Sequence, residues 1–182
     1  FGEGEAFRGV VDLIRRQLAT WDEASKGLTY TYEDVPAQIL PQAEEQRDRM
    51  IALLADVDDG IAEKYLEGME ISAAEIVGAV RTATINLKVV PVMCGSALRN
   101  KGVQPVLDAV VAFLPSPEEI PPVTGINPVT KQEETRTSSD REPLAALAFK
   151  IMQDEGRKLT YLRIYSGRIR AGEELYNASR GK

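Results

Sequence analysis

The chain has 182 residues, 43% hydrophobic and 27% charged, a composition that excludes a disordered tail and is long enough for one domain or two small ones. A formal charge of -6 argues against wrapping a nucleic-acid backbone, and the absence of histidine removes the commonest metal ligand and general base. A single cysteine, Cys94, rules out an intrachain disulfide framework. No run approaches about 18 apolar residues and no basic-then-apolar leader opens the chain, so the expectation is a cytoplasmic protein with no membrane partner. The chain has no initiator Met and ends just after a strand-like run, which reads as a piece of something longer.

In chain order, Ala6 to Ile14, Gln17 to Trp21 and Leu28 to Val35 are rich in β-formers and predict a small sheet, with "DEASKG" as a turn. Apolar residues at Ile39, Ala43, Met50, Leu53, Leu54 and Val57 predict a long amphipathic helix over 37–57, with Pro41 tolerated in its first turn. A short helix, "DGIAEKYLEG", follows. Ser72 and Glu75 have capping-box spacing and should open a helix carrying Ile76, Val77, Val80, Thr84 and Leu87.

"KVVPVMC", Lys88 to Cys94, is a continuous apolar run of the kind found in strands covered on both faces, which predicts an inert, buried Cys94 thiol. A "GSAL" turn and a helix from Val103 to Leu114, with Val106, Val110 and Phe113 at helical spacing, complete half of a βαβ unit. "PSPEEIPP" then stops the helix and marks a boundary. Beyond it "LAALAFKIM", "KLTYLRIYSGRIRAG" and "EELYNA" predict about three strands of an antiparallel barrel that needs more strands to close.

Most candidate chemistry falls away on inspection. Gly2 and Gly4 lie near one another, but no Gly-x-x-x-x-Gly-Lys-Ser/Thr string occurs to make a phosphate cradle. "NKG" at Asn100 to Gly102 is followed by Val103 where a guanine-reading Asn-Lys-x-Asp needs its Asp. Adjacent carboxylates such as Asp58 with Asp59, or Glu44 with Glu45, read as solvated surface. From Glu33 to Glu75 there are twelve acidic residues against three basic, a net of -9. That segment is either a face that keeps the protein soluble or a docking surface for a basic partner.

Several stretches, in order, then carry a resemblance. "FRGVVDL", "KYLEG", "TINLKVVPVMCGSAL", "GSALRNKGVQPVLDAVVAFLPSPEEIPP", "PLAALAFKIM" and "RIYSGRIRAGEELYN" together make nearly the whole chain resemble bacterial elongation factor G, a family of translational GTPases. The resemblance implies an α/β fold. It comprises an α+β inserted subdomain over 1–86, the C-terminal strand, guanine-motif turn and helix of a P-loop GTPase domain over 87–117, a linker over 118–142, and a truncated antiparallel β-barrel over 143–182. Ser96, Ala97 and Leu98 fall on the family's guanine-recognition turn, where the Ala97 amide would donate to the guanine carbonyl while Ser96 braces the turn.

The resemblance further implies GTP/GDP and Mg²⁺ for the longer protein, neither expected to bind this chain tightly because the phosphate, switch and Asn-Lys-x-Asp motifs are not in it. It also implies the ribosome as partner and no DNA. The stalk protein would meet the acidic helices over 37–79, and small-subunit RNA would meet the barrel, with basic charge from Arg163, Arg168, Arg170, Arg180 and Lys182. "QDEGRK" departs from the family's longer segment and leaves open whether the longer protein is the main factor or a paralogue. A stand-alone acidic binding module without a nucleotide role is the alternative.

Overall fold

A computed structural model describes residues 1–2 and 4–181. The backbone separates after Leu114 into two compact units, Phe1–Leu114 and Pro115–Lys182. Together they make a mixed α/β protein whose sheets are antiparallel, none of them closed among the described residues.

The first unit opens with β1 (Gly9–Asp12), β2 (Gln17–Trp21) and β3 (Tyr30–Asp34), a meander in that spatial order. Gly9 pairs with Thr20 across the first ladder and Trp21 with Tyr30 across the second. Asp12 shapes the first turn, its Oδ1 accepting from the amides of Ile14 at 2.9 Å and Arg15 at 3.0 Å. Central strand β2 buries Leu18, Ala19 and Trp21, so its two faces are both covered. Asp22 anchors the β2–β3 loop in the same way, accepting from the amides of Ala24 and Ser25. Those two bonds hold the Asp22 carboxyl below its usual range, the Ser25 amide contributing most.

Three helices follow: α1 (Leu40–Ala55), α2 (Asp59–Leu66) and α3 (Ala73–Ile85). Asp58 caps α2, its Oδ1 accepting from the Ile61 amide at 3.0 Å. Helix α3 opens on the expected capping box, with Ser72 Oγ accepting from the Glu75 amide and Glu75 accepting from the Ser72 amide. On α3, Ile76, Ala79, Val80 and Ala83 are buried at helical spacing, and Ile76 has no exposed surface at all. Ile76, Ala79 and Val80 pack with Ile51 and Leu54 of α1, Ile61 of α2 and Ile71 into one apolar core.

Helix α4 (Val103–Phe113) lies against α3. Arg81 fixes that contact by donating from Nη1 to the carbonyls of Ala112 at 2.8 Å and Leu114 at 3.2 Å, groups that the end of a helix leaves without partners. The outer face of α4, including Leu107 and Val111, is exposed.

The expected strand over 88–94 does not form. An apolar run reports burial, but a strand also needs a neighbour to take its amides and carbonyls, and no described strand pairs with this one. Val90 and Val92 are exposed, and so is Cys94, which corrects its reading as a buried thiol.

In the second unit, β4 (Val123–Ile126) and β5 (Glu133–Arg136) form a hairpin inside the stretch expected as a linker. Asn127 makes its turn by accepting from the amides of Val129 at 2.8 Å and Thr130 at 3.1 Å. The long strands β6 (Ala145–Asp154) and β7 (Arg157–Ser166) form a second hairpin, while "EELYNA" is not a strand. The strands of the unit expected to begin a barrel thus form two separate ribbons, and a two-stranded ribbon leaves Phe149, Ile151 and Ile164 exposed.

The capping box has a measurable consequence. Lys64 and then Ser72 hold the Glu75 carboxyl at a pKa of about 2, against an ordinary 4.5. A depressed folded-state pKa adds stability that is complete above the unfolded value and is lost as pH falls through the folded one. Ser72→Ala should cost about 1 kcal/mol in urea unfolding at pH 7. Glu75→Gln should flatten the stability loss between pH 5 and about pH 2. An unchanged unfolding curve for Ser72→Ala would show that the box contributes nothing.

Candidate functional site

The stretch from Gly95 to Gly102 is built as a closed turn. Ala97–Arg99 form one 3-10 turn, and Asn100 follows with a left-handed φ of 54°. Ser96 and Lys101 close its base through their backbones, Ser96 N donating to Lys101 O at 2.8 Å and Lys101 N to Ser96 O at 3.0 Å. Ser96 thus braces the turn through its main chain, and its hydroxyl makes no capping bond. Gly95 is required there, because a Cβ would lie 2.6 Å from the Lys101 carbonyl.

Ala97 and Leu98 open the 3-10 turn, the position at which a helix leaves amides without a preceding carbonyl. Both are exposed, Leu98 at 99%. All three predicted site residues therefore sit on one small turn, and the side chain of Ala97 itself is a single methyl group. Such an edge can donate from its main chain to a flat acceptor without steric interference.

Side chains that the sequence analysis did not single out hold this turn from behind. Lys101 is 6% exposed, with Nζ 3.5 Å from both the Phe7 carbonyl and Glu23 Oε1 and 5.9 Å from the centre of the Phe7 ring. Gln104, on the first turn of α4, accepts from Trp21 Nε1 at 3.2 Å and donates to the carbonyls of Gly27 at 2.7 Å and Leu28 at 3.3 Å. Asn100 Nδ2 reaches the Lys26 carbonyl at 3.4 Å. Gly27, at φ 76°, lies so close that a Cβ would be 2.7 Å from the Asn100 carbonyl. These contacts join positions more than 70 residues apart, so no local sequence signal announces them.

The acidic segment divides by what its carboxylates do. Glu44 accepts from Arg16 at 2.7 Å, Asp48 from the Tyr65 hydroxyl at 3.3 Å, Asp58 caps α2 and Glu75 completes the capping box while pairing with Lys64. These are structural. Glu45, Asp56, Asp59, Glu63, Glu67 and Glu70 belong to the same segment and are exposed. Beside them a shallow groove between α1 and α2 is lined by Arg49, Ala52, Leu53, Asp56, Tyr65 and Leu66, with Leu53 and Leu66 largely exposed. The face is mixed apolar and acidic.

In the second unit Arg163, Arg168, Arg170 and Arg180 are exposed, and the Arg163 guanidinium lies 5.1 Å from the centre of the Tyr165 ring. Lys182 lies outside the described residues. Among the described residues no group of three or more His, Cys, Asp or Glu side chains is arranged to hold a metal ion. No described helix is long and apolar enough to cross a membrane.

No profile of a known protein family matches the chain. Over 181 residues, all of this chain and 27% of the relative, the sequence is 62% identical to elongation factor G 2 of Syntrophus aciditrophicus strain SB. A crystal structure of a protein from Thermus thermophilus matches 97% of this chain and 24% of its own length at 25% identity, with a TM-score of 0.66. The chain thus spans about a quarter of the length of either.

Proposed function

From a chain that belongs by sequence to the elongation factor G family, we propose that these residues are one stretch of a cytoplasmic translational GTPase. Its activity is GTP-dependent movement of mRNA and tRNA on the ribosome. In this reading 1–86 is an inserted subdomain, 87–117 ends the nucleotide-binding domain, and the strands after it begin a barrel. The observation that carries the reading is the Ser96–Leu98 turn: a sequence with that ancestry folds here into an exposed, backbone-presenting edge.

The role of each residue follows from hydrogen-bond chemistry. The Ala97 amide donates to the carbonyl oxygen of guanine, and adenine, which offers an amino group at that position, leaves the amide unpaired and is rejected. Ser96 and Lys101 hold the edge rigid through their paired backbones. The small Ala97 side chain lets the base approach. The residues present fit the base alone: no phosphate-loop string occurs in the sequence, and no acidic cluster among the described residues fits Mg²⁺. When bound, GTP and Mg²⁺ supply the cleavable phosphate and the charge that stabilises its transfer, and those groups are held by other parts of the longer protein. This chain alone does not hydrolyse GTP.

The mixed apolar and acidic face of α1 and α2 is the docking surface for the ribosomal stalk protein, and the arginines of the second unit face small-subunit RNA.

Two measurements test this reading. Fluorescent GDP should bind the 182-residue chain only weakly, since most binding energy comes from phosphate contacts that it lacks; micromolar affinity would contradict the assignment. Titration with the stalk protein's C-terminal domain should move NMR resonances over 37–79, the shifts shrinking as salt rises. No shifts at millimolar concentration would return the acidic residues to a merely solvated face.

A further inference from the structure

The side chains of Lys101 and Gln104 do no work in the function described above, although they are the most deeply engaged polar side chains near the turn. A lysine left 6% exposed is costly unless something specific holds its ammonium group. Here the Phe7 carbonyl, the Phe7 ring and the Glu23 carboxylate share that task, all of them from the sheet half of the first unit. Gln104 uses both ends of its amide, as acceptor from Trp21 and donor to Gly27 and Leu28. Trp21 is itself buried and stacked on Tyr30 at 5.7 Å, so Gln104 is fastened to a rigid strand.

We propose that Lys101 and Gln104 are positioning residues for guanine recognition, clamping the Ser96–Lys101 turn against the β2–β3 loop so that the three-stranded sheet sets where the Ala97 amide points. The proposal rests on the assignment of that turn to the guanine base. It adds a direction of dependence: the sheet is part of the base site, although none of its residues touches the base. Gly27 makes the joint a close one, since its missing side chain brings the loop backbone onto the carbonyls of Arg99 and Asn100. Displacement of the β2–β3 loop therefore moves the turn.

The test uses the full-length elongation factor that carries this sequence, with GDP and the diphosphate of 2-aminopurine riboside, which lacks the guanine carbonyl oxygen. The readout is the ratio of the two affinities. Ala97→Pro removes only the amide, because proline suits the first position of a helical turn and Ser96 already has the extended backbone that precedes proline. It should reduce the ratio by about tenfold, the scale of one hydrogen bond.

Lys101→Met and Gln104→Leu should each reduce the ratio several-fold by weakening GDP while leaving 2-aminopurine diphosphate affinity unchanged, and Lys101→Arg should restore part of it. If Ala97→Pro lowers the ratio and neither clamp variant does, the clamp is overturned and the base assignment stands. A clamp variant that weakens both nucleotides equally reports general damage and also overturns it. If Ala97→Pro itself leaves the ratio unchanged, the base assignment fails and the clamp proposal falls with it.

Discussion

The side-chain amide of Gln104 is the constraint on which the arrangement of the first unit turns. It satisfies one buried donor, Trp21 Nε1, and two loop carbonyls at once, and it does so from the first turn of α4. Without it, the sheet would meet that helix only through weaker polar contacts such as that of Tyr30 with Asp108 at 3.4 Å. Because Gln104 follows the Gly95–Gly102 turn directly, anything that fixes α4 on the sheet also fixes the turn. Arg81 performs the matching task at the other end of α4, tying it to α3 and through α3 to the helical core. The helix is thus held at both ends while its outer face stays exposed.

That exposure separates the two kinds of surface on the molecule. The apolar residues Val90 and Val92, and Leu107 and Val111 on the outer side of α4, are exposed with few charged groups among them. The exposed leucines of the α1–α2 groove are different, because they stand among carboxylates on helices whose buried sides are already satisfied by their own core. An apolar patch rimmed by charge on a complete core is the pattern of an interface with a separate partner.

How much of this was legible in the sequence depended on the range of the interaction. The helix starting at Ala73 was readable because the capping box is satisfied within three residues, but of the expected Ile76, Val77, Val80, Thr84 and Leu87 only Ile76 and Val80 are buried. The buried face is completed by Ala79 and Ala83, small residues that apolar size does not flag, and Leu87 lies past the helix end and is exposed. The β4–β5 hairpin was hidden by the polar composition of 118–142, although the Asn127–Pro128 pair carried a turn signal with a strand-like segment on each side. The strand expected over 88–94 failed for the opposite reason: apolar composition marks what wants burial, but pairing depends on a neighbour elsewhere in the chain. The turn at Ser96, Ala97 and Leu98 was legible from its residues but its role only through family resemblance, and the contacts of Lys101 and Gln104 were not legible, since their partners lie more than 70 residues away.

The turn proposed to read the base is already formed in this chain, with the amides of Ser96, Arg99, Asn100 and Lys101 bonded and those of Ala97 and Leu98 open. Amide hydrogen exchange, resolved by residue, tests it most directly. Ser96 and Lys101, which donate to each other's carbonyls, should exchange slowly, while Ala97 and Leu98 should exchange near the rate of an unstructured peptide. Fast exchange at all four would mean that the turn is not preformed, and protection at Ala97 would mean that its amide is already taken; either result contradicts the account.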